Sequence, residues 1–396
     1  MNSNRNNTNR IHANNDKENQ PTHTHTTMLS ARIHEYQKPL ILEETRRPVI
    51  VKGEQVLIRV GATGLCHSDL HLINGDWKDT IPLNLPLIPG HEAAGWVEEI
   101  GNSVPEGVLN KGDTVAVFAG WGCGICIQCK NGDEQLCNFA RWPGIISNGG
   151  FSEYINVNSY RFLVKVCQNN NDNSYDSNNR RTKAKKLTAE EIAPLTDAGL
   201  TPYRAIKKIR NMLGPGKSIA IVGIGGLGYY GVQYAKILGQ SANVIALDRK
   251  EEKLHLAESV GADSTVNMSK YKNNGNVREE VLKITAGKGV DVVIDCVGAE
   301  NTIYDSIRFL NKRGILVVVG LFGTNIKIPL VPSVTNEYSI YGSLWGNYNE
   351  LSEVIELAKE GKVKHHIQKF TLNEINKAMS LLKDGKIIGR AVITPN

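Results

Sequence analysis

Ser218-Ile219-Ala220-Ile221-Val222-Gly223-Ile224-Gly225-Gly226-Leu227-Gly228 is an apolar strand that runs into a glycine-rich turn and opens a helix. Each outer glycine has its own physical task. Gly223 permits the tight turn, Gly225 lets the backbone approach a pyrophosphate, and Gly228 lets the helix lie close on the strand. Gly226 and Leu227 complete the loop, and the helix start offers free N–H groups and a partial positive charge to phosphates. The next strand, Asn243-Val244-Ile245-Ala246-Leu247, ends in Asp248. It lies about 20 residues beyond the last glycine, where a carboxylate accepts hydrogen bonds from the ribose hydroxyls of a dinucleotide. A 2′-phosphate would be repelled there, so NAD is favoured over NADP; Arg249, next in the chain, blunts that preference. The competing reading is a strand–turn–helix that binds nothing. Strand, glycines, helix and acid occurring together weigh against it.

Outward from this turn, strands alternate with helical stretches. Val290-Asp291-Val292-Val293-Ile294 and Ile315-Leu316-Val317-Val318-Val319 are further apolar strands, and Glu251 to Val260 is helical. Such alternation predicts an α/β doubly wound parallel sheet. Upstream, from Arg32 to about Tyr160, short strands are punctuated by glycine and proline, which predicts a β-rich, barrel-like unit. After about Asn336 two helical segments and a last strand, Ala391-Val392-Ile393, are expected. Residues 1–27 are polar and predicted to be a disordered tail. Residues 168–186, rich in Asn, Asp, Ser and Lys, are predicted to be a flexible surface insertion.

Cysteine is concentrated. Of seven, Cys123, Cys126, Cys129 and Cys137 crowd into one stretch with spacing C-x₂-C-x₂-C-x₇-C. Four thiolates on a compact loop suit a closed tetrahedral zinc site of structural kind. An iron–sulfur cluster is the rival, and a set of free thiols the bland alternative. A second set is dispersed. Gly64-Leu65-Cys66-His67-Ser68-Asp69-Leu70-His71 is dense in reactive side chains, Gly90-His91-Glu92 follows, and Leu195-Thr196-Asp197-Ala198-Gly199 comes much later. Catalytic zinc takes three protein ligands and keeps one open position; Cys66, His91 and Asp197 are acceptable donors. Taken singly, each has a dull explanation: a packed Cys, a solvated His, an Asp capping a helix.

Together these motifs resemble the zinc-containing medium-chain alcohol dehydrogenases. The likeness rests on GLCHSDLH, PGHEAAG, the four-cysteine lobe, LTDAGLTPYRA, GIGGLG and the closing Gly389-Arg390-Ala391-Val392-Ile393, and it covers nearly the whole chain from about Met28. It implies a GroES-like, β-rich catalytic domain made from both ends of the chain (28–197 and 337–396), with a Rossmann cofactor domain (198–336) between them. On this resemblance Cys66 and His91 are the first two ligands of the catalytic zinc. Asp197 stands where most members carry Cys, although carboxylate is a legitimate ligand. Asp69 is the carboxylate that holds the ligand histidine in its tautomer, and Glu92 the nearby acid that modulates zinc coordination. Ser68 and His71 form the proton relay. His67 and Arg390 contact the pyrophosphate, and Thr201 lies beside the nicotinamide. Trp77, Trp121, Trp142, Leu344 and Trp345 line the substrate pocket; packing in the core or domain interface is the alternative for those rings. The resemblance further implies two zinc ions per chain, one catalytic and one structural, NAD(H) as cofactor, and a homotetramer or homodimer. Zinc acts as a Lewis acid on the substrate oxygen, the proton leaves through Ser68, the cofactor ribose and His71, and hydride passes to the nicotinamide.

Composition narrows the field. The chain has 396 residues, 41% hydrophobic and 22% charged, ample for two packed domains. Its +6 formal charge is spread along the chain with no dense basic stripe, which argues against nucleic acid as a partner. No run of about 18 apolar residues suggests a membrane span. The first 28 residues lack the apolar core of a secretory signal, so the expected compartment is the cytoplasm. The expected reaction interconverts primary and secondary alcohols with aldehydes and ketones. A polyol, threonine or other specialised zinc dehydrogenase is the first alternative; a non-catalytic zinc- and dinucleotide-binding protein is the second.

Overall fold

The structure is a computed structural model that describes residues 26–167, 185–271 and 275–395. The predicted tail and insertion therefore lie outside the described residues, apart from their last two positions each. The strands are β1 (Thr27–Arg32), β2 (Ile41–Arg46), β3 (Val56–Leu65), β4 (Glu92–Ile100), β5 (Thr114–Val117), β6 (Tyr154–Val157), β7 (Leu163–Cys167), β8 (Ser218–Val222), β9 (Asn243–Asp248), β10 (Ser264–Asn267), β11 (Val290–Asp295), β12 (Leu310–Val318), β13 (Ser339–Gly342), β14 (Ile367–Thr371) and β15 (Arg390–Thr394). The helices are α1 (His67–Asn74), α2 (Ile127–Lys130), α3 (Ala189–Ile192), α4 (Leu200–Ile209), α5 (Gly226–Leu238), α6 (Glu251–Ser259), α7 (Gly275–Ile284), α8 (Glu300–Arg308), α9 (Leu330–Thr335), α10 (Tyr348–Lys359) and α11 (Ile375–Lys383).

Two large sheets organise these elements. One has the order β10-β9-β8-β11-β12-β13, with every pairing parallel. Its central strands are buried on both faces; all six residues of β11 are covered. That is why they read as unbroken apolar runs instead of alternating ones. The order reverses between β8 and β11, and the glycine turn leaves β8 at that switch point, where doubly wound sheets bind ligands.

The other sheet has seven strands, ordered β14-β15-β3-β4-β5-β7, with β6 paired to β3. Strands near both ends of the chain meet in it: β15 pairs antiparallel with β3, Ala391 opposite Leu65. One apolar cluster runs from this sheet through α4 into the parallel sheet, joining Val56, Ile58 and Val115 to Tyr203, Ile219 and Val292.

Two strands were not expected after Asn336. β13 extends the parallel sheet to Gly342, and β14 pairs with β15. Both are edge strands of four or five residues with no fully buried position, so they carry no apolar run to signal them.

Candidate active site

Strand register assembles the first part of the site. β3 and β4 run antiparallel with Gly64 opposite Glu92, so the residues beyond β3 and before β4 meet at one end of the sheet. Cys66 is there as the N-cap of α1, and its N–H is held by Asp69 Oδ2 at 2.9 Å, in the helix's first turn. His91 sits directly before Glu92, and Arg390 opens β15 on the other side of β3. Asp197 arrives from 106 positions beyond His91, at the turn between the short 3-10 segment Ala193–Thr196 and α4.

Cys66, His91, Glu92 and Asp197 form one buried group whose ligand atoms all lie within 4.8 Å of one another. Asp197 Oδ2 is 3.3 Å from His91 Nε2 and 3.6 Å from Cys66 Sγ. Its other oxygen, Oδ1, accepts the Thr201 hydroxyl at 2.7 Å. The carboxylate is thus aimed at the other two donors and does not cap α4. Behind the ring, His91 Nδ1 is 3.6 Å from Asp69 Oδ1, and Asp69 is fully buried. Burial opposes ionisation of Asp197, yet the His91 hydrogen bond and the fields of His91 and Arg390 hold it below the usual carboxylate range. Burial would likewise raise the Cys66 thiol, but the Arg390 charge and the His91 hydrogen bond bring it below its ordinary value. A thiolate, an imidazole and a carboxylate in one pocket are a donor set that fits zinc. Ser68 Oγ lies 3.5 Å from His91 Nε2, at the edge of this group.

Arg390 links that pocket to the glycine turn. Its side chain is buried, with both Nε and Nη2 donating to the Glu92 carboxylate, and Nη2 is 3.8 Å from Asp197 Oδ2. A Cβ at Gly226 would sit 2.6 Å from Arg390 Nη1. The metal-type donors and the nucleotide-type turn are therefore one arginine apart. At the turn itself, Gly223 has φ 86°, and a Cβ on Gly228 would come within 2.0 Å of the Gly223 carbonyl oxygen. A Cβ on Gly225, by contrast, would meet nothing within 4 Å. That open space at the start of a 13-residue helix fits a pyrophosphate. Leu227 lies half-buried behind the turn. Asp248 is set by backbone donors: Ile224 N–H to Oδ2 at 2.7 Å, and the N–H groups of Arg249 and Lys250 to Oδ1 at 2.7 and 3.0 Å. The Arg249 residue itself is exposed beside it. His67 is exposed at the open end of α1, within the fields of Arg390 and Lys253.

The predicted pocket rings separate. Trp345 packs edge-on to His91 at 5.6 Å and to Trp142 at 6.1 Å. Trp77 stacks on His71 at 5.0 Å. These three belong to one apolar cluster. Trp121 does not join them: it stacks on Phe162 at 6.1 Å and is buried in the other cluster, where its large apolar surface fills the sheet interior. Leu344 is exposed. Phe322, which the sequence reading passed over, lies edge-on to His71 at 6.4 Å. It comes from the loop after β12, 251 positions away, and no local signal pairs it with α1.

The four cysteines converge as well. Their sulfurs lie within 4.8 Å of one another, Cys126 to Cys129 at 3.5 Å and Cys123 to Cys129 at 3.9 Å. The N–H groups of Cys123 and Phe139 point at Cys137 Sγ, at 3.4 and 3.3 Å. Such donors stabilise thiolate charge. All four positions are taken by protein sulfur, so the lobe has no place for a substrate.

Comparison with known proteins gives the family. Residues 52–168 match the alcohol dehydrogenase GroES-like domain, and residues 226–360 match the zinc-binding dehydrogenase family. An NAD-dependent alcohol dehydrogenase from Sulfurisphaera tokodaii is 38% identical over 375 residues, covering 93% of this chain and 100% of the relative. A D-arabinose 1-dehydrogenase (NADP(+)) from Saccharolobus solfataricus is 34% identical, covering 92% of this chain and 97% of the relative. The crystal structure of the alcohol dehydrogenase from Aeropyrum pernix superposes with a TM-score of 0.82 at 38% identity, covering 93% of this chain and all of that one. With the donor pocket, the glycine turn and the four-cysteine lobe in place, the chain belongs to the zinc-containing medium-chain alcohol dehydrogenase family.

Proposed function

We propose that the protein reversibly oxidises primary and secondary alcohols to aldehydes and ketones, with NAD(H) as the hydride carrier and two zinc ions per chain. The observation that carries this reading is the buried group of Cys66, His91 and Asp197, joined to the glycine turn by Arg390. Zinc there supplies Lewis acidity toward the alcohol oxygen, and NAD⁺ supplies the hydride acceptor. Cys66, His91 and Asp197 would hold the ion, while Asp69 fixes the His91 ring and Glu92 anchors Arg390. Ser68 Oγ takes the hydroxyl proton and His71 passes it outward. Thr201, next to Asp197, borders the nicotinamide side. Asp248 would receive the adenosine ribose, and His67 and Arg390 would face the pyrophosphate. Trp142 and Trp345 wall the pocket with apolar surface and exclude water.

The domain division follows the same reading: 28–197 with 337–396 as the catalytic unit, and 198–336 as the cofactor unit, extended to β13. Seven free thiols, four of them gathered for a metal, suit the reducing cytoplasm. Among the described residues, no helix is long and apolar enough to cross a membrane. A homodimer or homotetramer would cover the exposed Leu330, Val331 and Val334 on α9 near the free edge of β13.

The test is zinc content with activity. Wild type should carry two zinc ions per chain and oxidise benzyl alcohol and 2-butanol with NAD⁺. Asp197→Ala should carry one and lose turnover. Two ions and normal turnover in the variant would remove Asp197 from the ligand set. Preference for D-arabinose over both alcohols would move the substrate class to aldoses.

A further inference from the structure

The proton path of the proposed reaction ends at His71, and that ring has a partner to which the reaction reading gives no part. We infer that Asp76 is the positioning residue for His71: its carboxylate selects the tautomer protonated on Nδ1 and leaves Nε2 as the proton acceptor. This rests on the relay role of His71 proposed above.

His71 Nδ1 and Asp76 Oδ2 are 2.7 Å apart. An ionised carboxylate only accepts, so the ring nitrogen is the donor, and a neutral ring is then bare at Nε2. Nε2 has no protein hydrogen bond among the described residues. The backbone makes this pairing cheap in entropy. α1 ends at Gly75 with φ 76°, whose N–H returns to the Leu72 carbonyl at 3.1 Å. The Asp76 N–H then returns to the carbonyl of His71 itself at 3.0 Å. The helix-ending turn thus delivers the carboxylate to the residue whose ring it holds. Trp77 stacks on the same ring at 25° between planes, and Phe322 meets it at 68°. The ring is clamped in plane by Asp76 and across its face by Trp77.

The step balances without a redox partner. A proton arrives at Nε2, the ring becomes imidazolium, and a proton leaves Nε2 for water; Nδ1 keeps its own proton throughout, hydrogen-bonded to the Asp76 carboxylate. The carboxylate also stabilises the transient cation. Asp76 is half-exposed, so solvent screens that contribution. Loss of the carboxylate should therefore slow the reaction on the order of tenfold, a fraction of what general acid–base catalysis supplies.

The experiment uses the full-length zinc enzyme and compares Asp76→Ala, Asp76→Asn, His71→Gln and the His71→Gln/Asp76→Ala double variant. Single-turnover NADH formation from benzyl alcohol should fall in Asp76→Ala while NAD⁺ affinity and alcohol KM hold. The double variant should be no slower than His71→Gln, because the carboxylate acts only through the ring. Spectra of ¹⁵N-histidine enzyme should show His71 protonated on Nδ1 in wild type and in Asp76→Asn, whose amide oxygen still accepts, and shifted toward Nε2–H in Asp76→Ala. A normal rate in Asp76→Ala beside an impaired His71→Gln overturns the inference alone. So do additive losses in the double variant, or a tautomer that is unchanged in Asp76→Ala. A normal rate in His71→Gln overturns the inference and the relay reading together. If Asp76→Ala does not fold, the wild-type spectrum carries the test: His71 protonated on Nε2 with Nδ1 bare overturns the inference.

Discussion

Asp197 turns one carboxylate oxygen toward Cys66 and His91 and gives the other to Thr201. The sequence marked Asp197 as a donor by its place in LTDAGLTPYRA, but which oxygen points where depends on Thr201 being one helical turn further on. Removing that hydroxyl frees the carboxylate to rotate. Thr201→Val should keep the fold and weaken catalytic zinc by about 10–100-fold, the usual effect of losing a partner that orients a ligand. Competition with a zinc chelator measures this. Unchanged affinity would mean packing alone holds Asp197. At the same scale, Trp121 shows the limit of reading side chains from motifs. An indole near the four-cysteine stretch is equally a pocket wall and a core filler until its neighbours are known, and its neighbour is Phe162.

At the scale of elements, α4 ties three parts of the chain together. Arg204, four residues into it, donates to Glu350 at 2.8 Å and to Asp133 at 2.9 Å. Glu350 lies in the first turn of α10 and Asp133 in the four-cysteine stretch. The helix that begins beside Asp197 is therefore bolted to the structural lobe. Arg204→Ala leaves the buried Glu350 with one partner fewer. It should lower stability by about 1.5–3 kcal/mol, the range for a lost charged hydrogen bond, read from urea unfolding. An unchanged midpoint would show that water replaces the guanidinium without loss. Nothing local announced this contact, because its partners stand 71 and 146 positions away. The glycine turn is the opposite case. Strand, turn and helix are contiguous, so steric need and sequence coincide: a Cβ on Gly228 would sit only 2.0 Å from the Gly223 carbonyl oxygen.

At the scale of the whole molecule, the chain that returns from the parallel sheet is fastened to α5. The Gln233 side chain exchanges hydrogen bonds with the backbone of Lys364 at 2.7 and 3.1 Å, and Tyr230 Oη lies 3.1 Å from His365 Nδ1. Burial lowers His365 from its ordinary 6.5 to about 4. Protons therefore bind the unfolded chain first. The neutral ring's contribution is whole above about pH 6.5 and is lost as pH falls toward 4. His365→Gln keeps an acceptor for Tyr230 and cannot titrate, so its melting temperature should fall less than wild type between pH 6.5 and 4.5. Parallel curves would place the acid sensitivity elsewhere. Assembly belongs to this scale too. Leu330→Lys on exposed α9 should lower the mass seen by light scattering if that face meets a second copy, and an unchanged mass would place the contact on another face. The sequence by itself determined the parallel sheet and the glycine turn that leaves it, the four-cysteine lobe, and the motifs that carry Cys66, His91 and Asp197. In those features the needed residues are neighbours along the chain, or belong to a motif specific enough to recognise. Only the tertiary structure decided that Arg390 would stand between Glu92 and Gly226, that Phe322 would face His71, and that Trp121 would stack on Phe162. Each of those contacts joins residues tens to hundreds of positions apart, and the register of β15, β3 and β4 and the packing of two sheets, not local propensity, bring such residues together.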